Sequence, residues 1–268
     1  PPEAYAGLAA PPRCGTLSGM IAPAIGTLGK PWTQTERDVW REQQRARRSY
    51  RDLVLARLND RDQAFALHVY GELAIDPARY PLVAVVSAAP REGLPWALVT
   101  GGVHGYETSG VTGALDFLLT RAPEPCNKLN LVGVACGSRR RFEVVQGWNP
   151  NAVDPNRSFL PGGEAEEARA LIRLVAGLGH RFLVHVDLHE TTDSDESEFR
   201  PALAARDGKP FVPGHVPDGF YLVADADAPE PAFQAALLRP VPQISHLEPP
   251  DPDGRIIGEP VTPPGVIH

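Results

Sequence analysis

Cysteine is scarce in this chain: Cys14, Cys126 and Cys136 are too few and too odd in number for a disulfide framework, and no C-x-x-C pair offers a metal clip. Two thiols, Cys126 and Cys136, are separated by one loop and one strand. Either a bridge between them or two reduced buried thiols fits, the second being the simpler reading. Long hydrophobic runs are also missing. The longest, around residues 82–86 and 131–134, are strand-sized, far short of the ~20 residues that cross a bilayer, so no membrane partner is expected. Excess positive charge is lacking as well: the formal net charge is −7, which argues against a phosphate backbone and hence against a nucleic-acid partner. The first residues, Pro1-Pro2-Glu3-Ala4, have neither a basic start nor an apolar leader. That reads as a cytoplasmic location, although a processed start would look the same. Nothing in the sequence speaks to oligomeric state.

What is present is enough apolar material for one sizeable core, with 43% hydrophobic residues and four tryptophans in 268 positions. The first ~30 residues, rich in Pro, Gly and Ala, read as an arm. Thr33-Gln34-Thr35-Glu36 has the form of a capping box, and Val39, Trp40, Tyr50, Leu53, Val54 and Leu58 recur at helical spacing, which predicts one long amphipathic helix. Its Arg45, Arg47, Arg48 and Arg51 read as a solvated face. Residues 1–62 are thus an arm and helix packed on a domain spanning 63–268. Within that domain, strand-like runs at 66–70, 82–87, 96–100, 129–135, 182–188 and 220–224 alternate with helix-like segments at 109–119, 164–178 and 231–238. The pattern predicts an α/β single domain with a mixed, largely parallel central sheet and helices on both faces. Ligands collect at the carboxyl ends of strands in such sheets.

His104 follows the apolar run 96–100 and His189 ends the run 182–188, so both belong at that edge. Glu107 lies three residues beyond His104, a spacing that puts the two on one side of a turn entering a helix. Two imidazoles and one carboxylate form the three-ligand set of a catalytic zinc site, Zn2+ with an open position for water. Gly101, Gly102 and Gly105 around His104 allow tight turns and close approach. His185 and Asp187 share a strand face with His189, but His185 lies about 13 Å back, too far for the same ion, which suits a supporting role. The acidic run Asp193, Asp195, Glu196 and Glu198 reads as a solvated loop.

A second polar stretch, residues 149–159, offers Asp154, Asn156 and Arg157. A guanidinium matches a carboxylate in two hydrogen bonds, so Arg157 with Asn156 suits a substrate carboxylate, while a turn bearing a surface Arg is the alternative. The strings G-G-x-H-G-x-E at 101–107, D-x-N-R-x-F at 154–159 and D-L-H at 187–189, in that order, resemble the zinc carboxypeptidase superfamily, including its succinylglutamate desuccinylase and aspartoacylase branch. The resemblance runs over roughly residues 82–224. It implies a zinc carboxypeptidase-like fold, zinc on His104, Glu107 and His189, and a substrate carboxylate on Asn156 and Arg157. It further implies that Asp154 orients a ligating His, and that an upstream Arg, of which Arg139, Arg140 and Arg141 compete and Arg141 is favoured, steadies the oxyanion.

The family pattern also has a general-base Glu on a late strand. Glu259 is the nearest candidate, flanked by Gly258 and Pro260 in a way that suits a turn or edge strand, and the chain reads as one lacking the last strand and helix of the pattern or as one whose base comes from elsewhere. The activity implied is metallocarboxypeptidase-type hydrolysis of a C-terminal peptide bond by metal-activated water. The substrate is then a peptide, or in the related branch an N-acyl amino acid, with a free carboxylate. A zinc-binding module without catalysis is the reading that remains if the base is absent.

Overall fold

The computed structural model describes residues 25–123 and 128–268. Most of the expected arm, Cys14 and Cys126 lie outside them; Cys136 is a buried free thiol. Five strands form the central sheet: β1 (Phe65–Glu72), β2 (Pro81–Ser87), β3 (Trp96–Gly101), β4 (Asn130–Val134) and β5 (Phe182–Leu188), in the order β1-β2-β4-β3-β5. β4, β3 and β5 run parallel, and only β2 points the other way. β4 is buried along its whole length, as an unbroken apolar strand between two helical layers must be.

Helix α1 (Gln34–Gln43) starts at the predicted capping box, where Glu36 Oε2 accepts the Thr33 backbone N–H at 2.8 Å. The helix does not continue as predicted. It stops at Gln43, and a separate helical turn, Arg51–Leu55 leading into α2 (Ala56–Leu58), follows. The cause is tertiary. Backbone N–H groups of Arg47 and Arg48 both donate to the Glu143 carbonyl, and that of Tyr50 to Glu143 Oε1 at 3.0 Å, which draws the intervening segment onto helix α4 (Arg139–Val144).

Helix α3 (Thr108–Asp116), extended by a wider turn over Phe117–Arg121, packs Val111, Ala114, Leu115 and Leu118 with Val54, Leu82, Val85 and Leu131 on one sheet face. On the other face, α5 (Glu166–Leu178) brings Leu171 and Leu174 against Ala84, Leu98, Val132 and Val134. Trp148, 1% exposed, joins Trp32, Trp40 and the edge of Phe199 into a third cluster. That cluster ties α1 to α6 (Arg200–Arg206). The acidic run is therefore not a solvated loop: Asp195–Phe199 forms a helical turn leading into α6, with Asp195 buried against Arg200.

Downstream come β6 (Leu222–Val223), α7 (Pro231–Leu238), β7 (Arg255–Ile256), β8 (Glu259–Pro260) and β9 (Val266–Ile267), with β6 paired to β9 and β7 to β8. Among the described residues no helix is long and apolar enough to cross a membrane.

Candidate metal centre

The parallel register of β3 and β5, with Thr100 opposite Asp187 and Gly101 opposite Leu188, brings the ends of both strands to one edge. There the chain turns through His104 into α3, with Glu107 as the residue just before the helix. Gly105 is required by crowding: a Cβ on it would lie 2.1 Å from the Arg141 carbonyl, backbone against backbone. Arg48 braces the same turn, donating to the Phe142 carbonyl at 2.6 Å, to Thr108 Oγ1 at 2.7 Å and to the Gly105 carbonyl. It is thus a structural arginine, not part of a solvated face.

His104, Glu107 and His189 converge. His104 Nδ1 lies 2.9 Å and His189 Nδ1 2.8 Å from the same oxygen, Glu107 Oε1, and one donor atom from each residue falls within 4.8 Å of the others. Glu107 Oε2 accepts the His104 backbone N–H at 2.9 Å, which fixes the carboxylate of a side chain only 1% exposed. The outer nitrogens have carboxylates of their own: His104 Nε2 is 3.2 Å from Asp154 Oδ1, and His189 Nε2 is 2.7 Å from Asp187 Oδ2. A carboxylate beside Nε2 favours a proton there, which would leave Nδ1 as the nitrogen to ligate a metal. Thr100 Oγ1 donates to Asp187 Oδ1 at 2.5 Å and is 2.8 Å from His185 Nε2, so His185 supports the site through Thr100.

Electrostatics match the geometry. Burial alone would lower the pKa of His189, but hydrogen bonds to Asp187 and Glu107 outweigh it and hold the imidazolium up to about 10. The same competition raises His104, where Asp154 and Glu107 overcome desolvation. Burial would raise Glu107, Asp154 and Asp187, yet their imidazole partners hold all three below the usual carboxylate range. Raised imidazoles and lowered carboxylates together mark a place where positive charge is favoured. A divalent cation at the two Nδ1 atoms would meet two imidazoles and a carboxylate, the donor set of a zinc site.

Around this centre the predicted residues divide. Asn156 donates its backbone N–H to Asp154 Oδ1 at 2.8 Å, which links the 154–157 turn to His104. Arg157 is exposed and has no hydrogen bond or ion pair among the described residues. Arg141 differs from expectation: it is 1% exposed, and its guanidinium reaches Glu167 at 2.8 Å, the Gly147 carbonyl at 2.9 Å and Ser138. Its charge is held by a buried loop, close enough to Asp154 and Glu107 to feel both carboxylates. Glu259 stands exposed on the β7–β8 ribbon and is absent from the converging set. Sequence reading missed Tyr106, which stacks on His104 with centroids 5.4 Å apart and whose phenol is held neutral by burial beside Asp195. It also missed Thr100. Only the pairing of β3 with β5 reveals Thr100, because nothing local marks it.

Comparison with solved structures places the architecture. Over 81% of this chain and 71% of the other, it superposes on a candidate metallopeptidase from Shewanella denitrificans OS217 with a TM-score of 0.59 and 21% identity. A second candidate metallopeptidase, from Shewanella amazonensis SB2B, gives 0.58 and 21%, covering 81% of this chain and 73% of that one. The chain shares the fold of these two candidate metallopeptidases, an α/β domain with a mixed, mostly parallel central sheet. No protein-family model matches it, and no curated protein matches it.

Proposed function

We propose that the protein is a zinc hydrolase of the metallocarboxypeptidase type, which cleaves an amide bond near a free carboxylate. The observation that carries this reading is the convergence of two imidazole Nδ1 atoms on Glu107, each imidazole backed on Nε2 by a separate carboxylate. His104, Glu107 and His189 would hold the metal. When bound, zinc supplies a Lewis acid and lowers the pKa of a bound water to about 7. Asp154 and Asp187 keep the imidazoles oriented and basic. Arg157, exposed and without a partner among the described residues, is available to fork onto a substrate carboxylate, with Asn156 beside it. That division of labour suits a C-terminal peptide bond, and equally an N-acyl amino acid.

One observation favours a second reading, a metal-binding module without turnover: Glu259 lies exposed on a ribbon and is absent from the metal-donor set, so the general base expected from the resemblance is not placed by that residue. General acid–base help is typically worth about 10²–10⁴-fold. The test is a substrate panel of free peptides, C-terminally amidated peptides and N-acyl amino acids, assayed on chelator-stripped and zinc-restored protein. Turnover restored by zinc, abolished in His104→Ala and reduced about 10–100-fold in kcat/KM by Arg157→Ala for free carboxylates only would support the hydrolase. Metal bound without turnover on any member would support the module. Failure to bind metal would overturn both.

A further inference from the structure

A second cluster of imidazoles and carboxylates lies outside the centre described above. Asp218, His246 and Glu248 each bring one donor atom within 4.8 Å of the others, and His215 joins them through Glu248. We propose that Asp218, His246 and Glu248 form a second site for a first-row divalent cation such as Zn2+, with His215 standing against Glu248 at its edge.

The site is built by the backbone. The Phe220 N–H donates to the His246 carbonyl, and the Glu248 N–H donates back to the Phe220 carbonyl, both at 2.9 Å, so the two segments run side by side. They approach so closely that a Cβ on Gly219 would sit 2.5 Å from the Glu248 nitrogen. Glu248 is 3% exposed, and its Oε2 is fixed by the backbone N–H groups of Asp218 at 3.0 Å and Gly219 at 2.7 Å. Its other oxygen, Oε1, faces His215 Nε2 at 3.1 Å, while His246 Nε2 faces Asp218 Oδ1 at 3.1 Å.

This repeats the logic of the first centre, in which ring nitrogens stand against carboxylate oxygens. Ligand atoms around a tetrahedral zinc, bonded at roughly 2.0–2.2 Å, stand about 3.4 Å apart, so the two contacts of 3.1 Å need only small shifts. Charge agrees. Two carboxylates are gathered with no Lys or Arg paired to either among the described residues, and a divalent cation would balance both. The His246 imidazole in the set favours zinc and its first-row neighbours over calcium or magnesium, which prefer all-oxygen sets. Three converging ligands leave a fourth position for water or for a shift of His215 from its place against Glu248 Oε1. The ion would clip Asp218 to residues 246–248, beside Tyr221, whose hydroxyl is 3.2 Å from Thr191 Oγ1, two residues past His189.

The experiment uses the full chain, stripped with chelator, equilibrated with Zn2+ alone and counted by elemental analysis. Wild type should hold two equivalents, Asp218→Ala/His246→Ala one, His104→Ala/His189→Ala one, and the quadruple variant none. Asp218 and His246 are exposed, and far-UV circular dichroism with the milder His246→Gln as a second variant separates loss of metal from loss of fold. One equivalent in wild type that survives Asp218→Ala/His246→Ala overturns the second site and leaves the first standing. One equivalent that survives His104→Ala/His189→Ala but not Asp218→Ala/His246→Ala supports the second site and removes the first.

Discussion

Replacing Asp154 by Asn isolates what a charge behind a ligand is worth. Asp154 Oδ1 stands 3.2 Å from His104 Nε2 and also accepts the Asn156 N–H at 2.8 Å. An Asn oxygen can accept both hydrogen bonds, so the turn and the imidazole orientation persist while the negative charge goes. Partners of this kind are worth about 10–100-fold in metal affinity, or roughly 1.4–2.7 kcal/mol. The bond to Asp154 is the longest of the four imidazole contacts in the centre, and its oxygen is shared, which puts the expected loss in the lower part of that range, about 10–30-fold. Asp187 has the shorter bond, 2.7 Å to His189, and its second oxygen is held by Thr100, so Asp187→Asn should cost more. A complication has a fixed sign: Asp154 also raises the His104 pKa, so its removal weakens proton competition and conceals part of the loss at lower pH. The loss should therefore grow from pH 6.5 to pH 8. Competition against a chromophoric chelator at both values reads it directly. An affinity within twofold of wild type at pH 8, in a variant with unchanged circular dichroism, would refute the role given to Asp154.

Other consequences follow from the same geometry. Gly105→Ala drives a Cβ into the Arg141 carbonyl, a clash with no flexible side chain to absorb it, so urea titration should show a loss of at least about 1–3 kcal/mol together with weakened zinc binding; unchanged stability would show that the turn can move. Trp148→Ala removes the centre of the Trp32, Trp40 and Phe199 cluster and should cost about 3–5 kcal/mol, seen as a lower urea midpoint. In metal-free protein, His189 has a folded pKa of about 10 against an ordinary value near 6.5, so its stabilisation is complete below ~6.5 and fades as pH rises towards 10. The lowered Glu107, Asp154 and Asp187 act oppositely, stabilising above the ordinary carboxylate range and ceasing to do so in acid. Thermal melts with chelator should fall from pH 6.5 to 10, and zinc should flatten that limb; a melting temperature that rises across it without metal would contradict the assignment.

The sheet was legible because its signal is local. Each central strand is a short apolar run closed by Gly or by a polar residue, and β5 appears over the predicted residues, Phe182–Leu188, as does α7 over Pro231–Leu238. The convergence of His104 and His189 was legible for a related reason: strand ends in a parallel register must share an edge, and both were marked as strand-end residues by the runs before them. The break after Gln43 was not legible, since its cause is Glu143, about a hundred residues away in sequence and visible only once α4 is folded beneath the chain. Asp195 was misread for a similar reason: four acidic residues in six positions look solvated until Arg200 and Tyr106 are found around one of them.

Arg139, Arg140 and Arg141 show how such misreadings bear on chemistry. Three consecutive arginines suggest a surface, or a reservoir of charge for a substrate. Yet Arg139 is fully buried, donating to the Gly137 carbonyl and to Tyr70, and Arg141 is held by Glu167. α4 is a short helix buried along most of its length, and the two guanidinium groups knit it to carbonyls and side chains around the strand ends. The two terminal nitrogens of Arg141 already point at protein acceptors, so turning them towards a transition state would take donors from Glu167 or the Gly147 carbonyl in a dry interior. Arg157 carries no such debt: it is exposed, three residues from the aspartate that touches His104, and unpaired among the described residues. On these grounds a substrate's charge should be sought from Arg157 first, and exchanging Arg141 should register as lost stability before it registers as lost affinity for a carboxylate.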